Sequence, residues 1–438
     1  MTAVAPPVTK DLRRVAVATV IGTTVEWYDF FIYASAAGLV FANLFFEPAG
    51  PQVSVLLAFA SVGVSFLFRP LGAFLAGHFG DLIGRKAMLV ATLLLMGAST
   101  TLIGLLPTYA QIGVAAPVML LVLRILQGVS AGGEWGGAVL MAVEHAPDDK
   151  RGKFGAFPQI GVPLGLLLAS GVLALMSGVF SPGDAFVEWG WRVPFLVSAI
   201  LVVVGFLVRR TVEESPVFLQ LAQQKQRTRL PIVELFRHSG WLVLLAALTF
   251  AGNSVAGYMT TGGYLQNYTT DPDGPIRLER TPVLLAVSAS AVVWLIMTWF
   301  GGVVSDRIGR RRTYIIGWIC QLITVVPLFV LVNTGNVFLL FLGLALFTVG
   351  NGLTYGPQAA FFAEMFPARV RYSGVSVSYA LGAVIGGAFA PTIATALVQS
   401  TGTVFAVAGY IAVVTVIAFG ATLLLKDRSG VPLGIDER

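Results

Sequence analysis

The stretch that decides the fold is Gly77–Lys86, GHFGDLIGRK, because it returns as GVVSDRIGRR at Gly302–Arg311. A second pattern also repeats. Glu144, Pro147 and Arg151 are matched by Glu364, Pro367 and Arg371, in the same order and at the same spacing. A long self-similarity of this kind means that one structural unit is built twice.

Reading outward from the two loops, each is followed and preceded by apolar runs. The chain has 438 residues, of which 56% are hydrophobic and only 11% charged, with a mean hydropathy of +0.83. Soluble domains carry about 25% charged residues. The composition therefore excludes a soluble enzyme, a disordered chain and a disulfide-stapled secreted domain. The single cysteine, Cys320, cannot form an intrachain disulfide.

A bilayer-spanning helix needs roughly 20 apolar residues. Twelve such runs are present, starting near Val15, Ser54, Ala87, Ala116, Phe154 and Trp191, then near Gly240, Pro282, Thr313, Val337, Gly374 and Val404. Their length favours helices over barrel strands, whose pattern alternates. The expected organisation is an N-terminal segment 1–14, a six-helix bundle 15–208, a charged loop 209–239, a second six-helix bundle 240–425 and a tail 426–438. Met1–Arg14 is short, polar and basic, and the apolar run after it is long enough to span, so that run is read as the first helix and not as a cleavable signal.

Positive charge fixes the expected sidedness. With both termini cytoplasmic, only Arg192, Arg277 and Arg280 fall outside, and only Arg69 and Arg124 fall within spans. The rest of the 28 Lys and Arg residues then face the cytoplasm, as the positive-inside rule requires.

The loop pattern G-x-x-x-D-x-x-G-R-[KR] resembles the signature of the major facilitator superfamily, and RILQG at Arg124–Gly128 is similar to its fourth-helix motif. EWYDFFIYA at Glu26–Ala34, FRPLGAFLAGHFGDLIGRK, LQGVSAGGEWGG and WGWRVPF resemble the metabolite:H+ symporter family within it. That resemblance implies two pseudo-symmetric bundles of six helices around a central cavity, located in the bacterial inner membrane. It implies proton symport of a small organic acid, such as a dicarboxylate or a shikimate-like acid, with a citrate-like anion in the same range. Proline/betaine osmolyte symport, uncoupled facilitation and export are the alternatives. Leu82 departs from the basic residue often found after the loop aspartate. The tail after Leu425 has no extended coiled coil of the kind osmosensing members carry, which weakens the osmolyte alternative.

Charge inside the hydrocarbon is costly and usually functional. Glu26, Asp29, Arg69, Arg124 and Glu134 lie within spans, all in the first half. Gly22, Glu26, Asp29 and Tyr33 share one face of the first helix, and Arg124, Gln127, Ala131 and Glu134 share one face of the fourth. At 1.5 Å per residue, Asp29 lies roughly 21 Å above the inner end of its helix and Arg124 roughly 12 Å below the outer end. In a core about 30 Å thick these depths nearly coincide, so the two are expected to pair. Arg69 and Glu134, roughly 22 and 27 Å below the outer face, form a second candidate pair.

The functional reading is proton coupling through Asp29, with Glu26 as its neighbour and Arg124 as the partner that holds the charge. The competing reading is a static ion pair. The superfamily's sugar/H+ members resemble this layout, which favours Asp29 over Glu26. Arg124 and Arg69 are candidates for a substrate carboxylate, since guanidinium matches carboxylate geometry. Tyr33, Gln127, Gln159, Asn253, Tyr258, Asn351, Tyr355 and Tyr379 are the uncharged candidates for the substrate cavity; each serves equally well as a helix-packing contact. Asp81, Arg85, Glu144, Asp306, Arg310 and Glu364 are read as a gate at the inner mouth, with Glu134 nearby. Helix caps and topology signals are the alternative for the gate residues.

Glycines at four-residue spacing (Gly128, Gly132, Gly136; Gly133, Gly137; Gly161, Gly165) point to close helix packing, and Pro158 and Pro163 to a kink in the fifth helix. His78, His145 and His238 make no metal-ligand spacing. No phosphate-binding loop, catalytic constellation or nucleic-acid patch appears, so no cofactor, metal or nucleic-acid partner is expected and the chain is not read as an enzyme. Its partners are a small-molecule substrate, protons and the lipid bilayer. The cavity is complete in one chain, so a monomer is expected.

Overall fold

The computed structural model describes residues 9–210, 213–215, 217–219, 231–260, 264–271 and 274–433. Among them there are only helices and connections, and twelve helices are long and apolar enough to cross a membrane. We number these α1 to α12. In the first half they are Thr9–Ala36, Pro51–Ile83, Arg85–Leu105, Ala115–Glu144, Arg151–Leu175 and Arg192–Arg210. In the second they are Pro231–Thr260, Arg280–Ile308, Arg310–Val332, Val337–Met365, Arg371–Ala383, which is the first part of a span reaching Thr401, and Phe405–Leu424.

Several helices extend past the apolar runs into flanking charged residues, as α1 does from Thr9 and α6 does through Arg210. Between α2 and α3 the chain turns on Gly84, with φ of 118°, and between α8 and α9 on Gly309, with φ of 94°. Backbone in this region is open to glycine and strained for other residues. The repeated D-x-x-G-R motif thus encodes one tight reversal between antiparallel helices, twice. Between the halves, α6 continues through Arg209 and Arg210, residues that hydropathy alone places in the loop. The backbone of α7 breaks its helical geometry at Ser239.

Helix α5 contains Pro158 and Pro163 within one helix and ends in a π-helical turn at Met176–Phe180. One expectation about helix shape needs correction, because the eleventh run is interrupted. After Ala383 a π-helical turn, Val384–Ala388, precedes a new helix at Ala390–Thr401, with Pro391 in its first turn. Proline lacks an N–H and suits a helix start, which places the restart there.

Within each half the helices pack as a bundle: α2 against α4 and α1 against α5 in the first, α8 against α10 and α7 against α11 in the second. The glycines of α4 receive α2: Gly128 lies against Ser65, and Gly132 against Arg69 and Ala73. Those of α5 receive α1, Gly161 against Thr23 and Gly165 against Trp27 and Tyr28. The halves meet along two related seams, α2 with α11 and α5 with α8.

Candidate functional site

The two loop motifs and the two Glu-Pro-Arg segments gather at one end of the molecule. Asp81 of the first half accepts hydrogen bonds from the Ser373 backbone N–H at 3.2 Å and its hydroxyl at 2.8 Å, at the start of α11. Asp306 of the second half accepts from the backbone N–H groups of Gly152 and Lys153, both at 2.8 Å, at the start of α5. Each loop aspartate therefore caps a helix of the opposite bundle, where unpaired N–H groups favour an anion. Arginines add crosswise ties. Arg85 lies 3.7 Å from Glu144 and Arg310 3.0 Å from Glu364 within the halves. Arg371 reaches Glu144 at 3.4 Å and Arg151 reaches Glu364 at 3.9 Å across them. The result closes this end of the molecule.

Residues beyond the motifs complete the closure. Ser215 donates to Glu144, and Glu214 accepts from the backbone N–H groups of Arg85 and Lys86 at the start of α3. Asp427 accepts from the Arg311 N–H at the start of α9 in the corresponding way. The Val431 carbonyl accepts from Arg151, and the Leu433 carbonyl accepts from Arg371 at 3.3 Å. None of these stands out in the sequence, because acidic and small polar residues after a span are common.

Above this end lies a central pocket between the two halves. The first half contributes Trp27, Phe31 and Val162; the second contributes Phe250, Asn253, Ser254, Gly257, Tyr258, Trp294, Tyr355 and Tyr379. All of these except Gly257 are buried. The lining is aromatic with a few hydrogen-bonding groups, the usual make-up of a small-molecule site. Asn253 donates to Gln358 at 3.1 Å and accepts from Thr354. Tyr379 stacks on Trp135, ring centroids 3.8 Å apart. Gln159 spans the halves, accepting from Trp135 at 2.6 Å and donating to the Tyr355 carbonyl at 3.0 Å. Asn351 lies outside the lining and accepts from Gln321 of α9.

The buried charges sort differently from the depth argument. Asp29 and Arg124 do not pair directly. The Asp29 carboxylate accepts from Thr100 at 2.7 Å and from Ser198. Arg124 donates to Gln127 at 2.7 Å and to the carbonyls of Ser61 and Val62, and it lies 3.7 Å over the Tyr33 ring. Tyr33 in turn shares a hydrogen bond with Ser61 at 2.6 Å. Gln127 donates to Thr100 at 2.6 Å, so Arg124, Gln127, Thr100 and Asp29 form one chain of hydrogen bonds inside the first bundle. The polar side chains of Gln127 and Thr100 fill the space between them.

The second candidate pair is also replaced. Glu134 is held by Arg209 and by Thr92 at 2.6 Å. Arg209 reaches it from the last turn of α6 by passing over Gly22, where any Cβ would collide with the guanidinium. Arg69 stays among rings instead, 4.3 Å over Phe66 and 5.7 Å over Trp27, with Tyr258 against it. Its Nε and Nη1, and both oxygens of Glu26, have no hydrogen-bond partner among the described residues.

Twelve spanning helices in two related bundles, tied at one end and enclosing an aromatic cavity, define a polytopic membrane transporter. Two overlapping matches to the Major Facilitator Superfamily model, over residues 19–383 and 285–435, identify the lineage. The chain belongs to that superfamily, and its relatives are transporters, not enzymes. It is 40% identical over 419 residues to the inner membrane metabolite transport protein YhjE of Escherichia coli K12, covering 95% of this chain and 94% of that one. It is 39% identical over 421 residues to the shikimate transporter of the same organism, with the same coverage. The proline/betaine transporter of Salmonella typhimurium LT2 is 33% identical over 430 residues, 96% of this chain and 85% of that protein. Among solved structures, the proton:xylose symporter bound to 6-bromo-6-deoxy-D-glucose superposes with a TM-score of 0.78 at 17% identity, covering 97% of this chain and 98% of that one.

Proposed function

We propose that the protein imports a small organic acid together with protons across the bacterial inner membrane by alternating access. The observation that carries this reading is Arg69, a cation only 2% exposed with two nitrogens, Nε and Nη1, unpartnered among the described residues, packed against rings that line the cavity. A desolvated guanidinium needs an anion to offset the loss of water. A carboxylate entering the cavity supplies it, with Asn253, Ser254 and the tyrosines as hydrogen-bond partners and the rings as walls.

The distribution of basic residues supports a cytoplasmic position for the tied end and both termini. Asp81, Arg85, Glu144 and their counterparts Asp306, Arg310 and Glu364 then act as the inner gate, closed in this conformation. Rocking the bundles apart breaks the crosswise ties together and opens the cavity inward. The buried acids of α1 supply proton binding. Asp29 connects through Thr100 and Gln127 to Arg124, and Glu26 sits one helical turn below it. Every part of the site comes from one chain, so we propose a monomeric unit. The names of the shikimate transporter and the proton:xylose symporter are consistent with this reading.

A zwitterionic osmolyte is the second reading, favoured by the aromatic lining, because ring faces attract quaternary ammonium groups. Uptake into proteoliposomes of shikimate, succinate and glycine betaine, each with and without an inward-directed pH gradient, tests all three assignments. Gradient-dependent accumulation of a carboxylate is expected. Equilibration that ignores the gradient would make the protein an uncoupled facilitator.

A further inference from the structure

Among the buried charges of the first bundle, two stand apart. Asp29 has two hydroxyl donors, Glu134 has Arg209 and Thr92, and Arg124 has Gln127 and two carbonyls. Glu26 and Arg69 are 3% and 2% exposed, and the atoms named above lack hydrogen-bond partners among the described residues. They come from adjacent helices, α1 and α2, and feel each other's charge. Glu26 directly precedes Trp27, and Arg69 stacks on Trp27 and lies against Tyr258; both rings line the cavity.

We infer that Glu26 and Arg69 form an exchange site for a single carboxylate, so that the cargo is a monocarboxylic acid carried with one proton. The inference rests on the transport reading above and narrows its substrate. Without cargo, an ionised Glu26 offsets the charge of Arg69 across the site, with no direct hydrogen bond between them. When the cargo's carboxylate takes the guanidinium bidentately, two anions face one cation in a site without water's screening. Both cannot stay ionised there, and Glu26 takes up the proton. On the inner side the proton leaves first, Glu26 reclaims Arg69, and the cargo is released.

The charges facing Glu26 support a count of one. They are Arg69 from α2, Asp29 from its own helix, and Glu134 and Arg209 from α4 and α6, with Tyr258, Tyr355 and Tyr379 from the second bundle. Arg209 is already engaged by Glu134, and Asp29 by Thr100 and Ser198. One cation remains for the cargo. A second carboxylate would enter the cavity with no partner, and an ammonium group would find no anion once Glu26 is neutral. The remaining lining is uncharged, which fits a neutral body with ring or hydroxyl groups.

The test uses the full chain in proteoliposomes with shikimate, succinate and glycine betaine as probes. One anion with one proton moves no net charge. Shikimate is therefore expected to accumulate about tenfold per unit of inward pH gradient at most, with no response to a potassium-valinomycin potential. Glu26→Gln, an isosteric mimic of the protonated acid, is expected to exchange shikimate across the membrane while losing the gradient response. Arg69→Gln is expected to lose shikimate binding. Uptake driven by the potential, preference for succinate or betaine, or a gradient response that survives in Glu26→Gln but disappears in Asp29→Asn would each overturn the inference. Wild-type protein that accumulates none of the probes under either gradient overturns the transport reading as well, so the two failures are distinct. The potential measurement needs no variant and holds even if a substituted protein misfolds.

Discussion

Arg209, on the last turn of the sixth helix, grips Glu134 in the middle of the fourth, and the two side chains are 5% and 3% exposed. The pair ties α6 to α4 beneath α1 and neutralises a carboxylate that the sequence alone assigns to Arg69. It separates the structural charges of the first bundle from those left free for chemistry.

Removing one partner of such a pair is expected to be severe. Arg209→Gln leaves Glu134 with the Thr92 hydroxyl alone, and losing one member of a buried ion pair typically costs about 3–5 kcal/mol. Thermal unfolding of the purified variant should show a marked drop in Tm. The double variant Arg209→Gln with Glu134→Gln should recover much of it, because the uncompensated charge is gone. No recovery would mean that the guanidinium acts through packing.

The relay between Arg124 and Asp29 makes a second prediction. Gln127→Leu removes both the acceptor for Arg124 Nη1 and the donor to Thr100. A buried donor left unmade costs about 1–3 kcal/mol. The expected result is a lower Tm with helix content unchanged by circular dichroism. An unchanged Tm would show that the relay contributes nothing to holding α3 and α4 together.

The crosswise ties predict a conformational response. Glu144 accepts from Arg371, lies near Arg85 and receives Ser215. Glu144→Gln weakens all three and should shift the population toward the conformer open at the tied end. Spin labels at the exposed positions Lys150 and Arg369, in the turns preceding α5 and α11, report this opening. A longer distance component is expected in the variant. An unaltered distribution would argue that the motif residues act as helix caps only.

The segment after α12 should act in the same direction. Its carbonyls at Val431 and Leu433 accept from Arg151 and Arg371, one from each bundle, and Asp427 caps α9. Loss of a cap costs about 0.5–2 kcal/mol. Truncation after Leu425 should therefore increase the open component between the same spin labels, and Asp427→Ala should do so to a smaller degree. A distribution identical to wild type after truncation would show that the segment rests on the mouth without holding it.

Much of this protein is legible before any coordinates. Hydropathy gives the twelve helices, because lipid admits only long apolar segments whose backbone bonds close internally. The repeat of GHFGDLIGRK as GVVSDRIGRR gives the twofold plan, and its glycines mark the two tight reversals. Periodicity puts Glu26 and Asp29 on one face of α1, and rise per residue gives Asp29 and Arg124 nearly equal depth.

Tertiary structure decided the partners. Spacing along a helix fixes face and height, but not which neighbouring side chain fills the gap opposite. Asp29 met Thr100 and Ser198, inconspicuous in the sequence because hydroxyls in apolar helices commonly bond their own backbone. Arg209, which the sequence places in a loop, folded back over Gly22 to Glu134. That left Arg69 among the rings beside the cavity, where its position rather than its identity suggests a role. The crosswise capping by Asp81 and Asp306 has the same origin: only docking the two bundles brings each aspartate to the helix start of the other half.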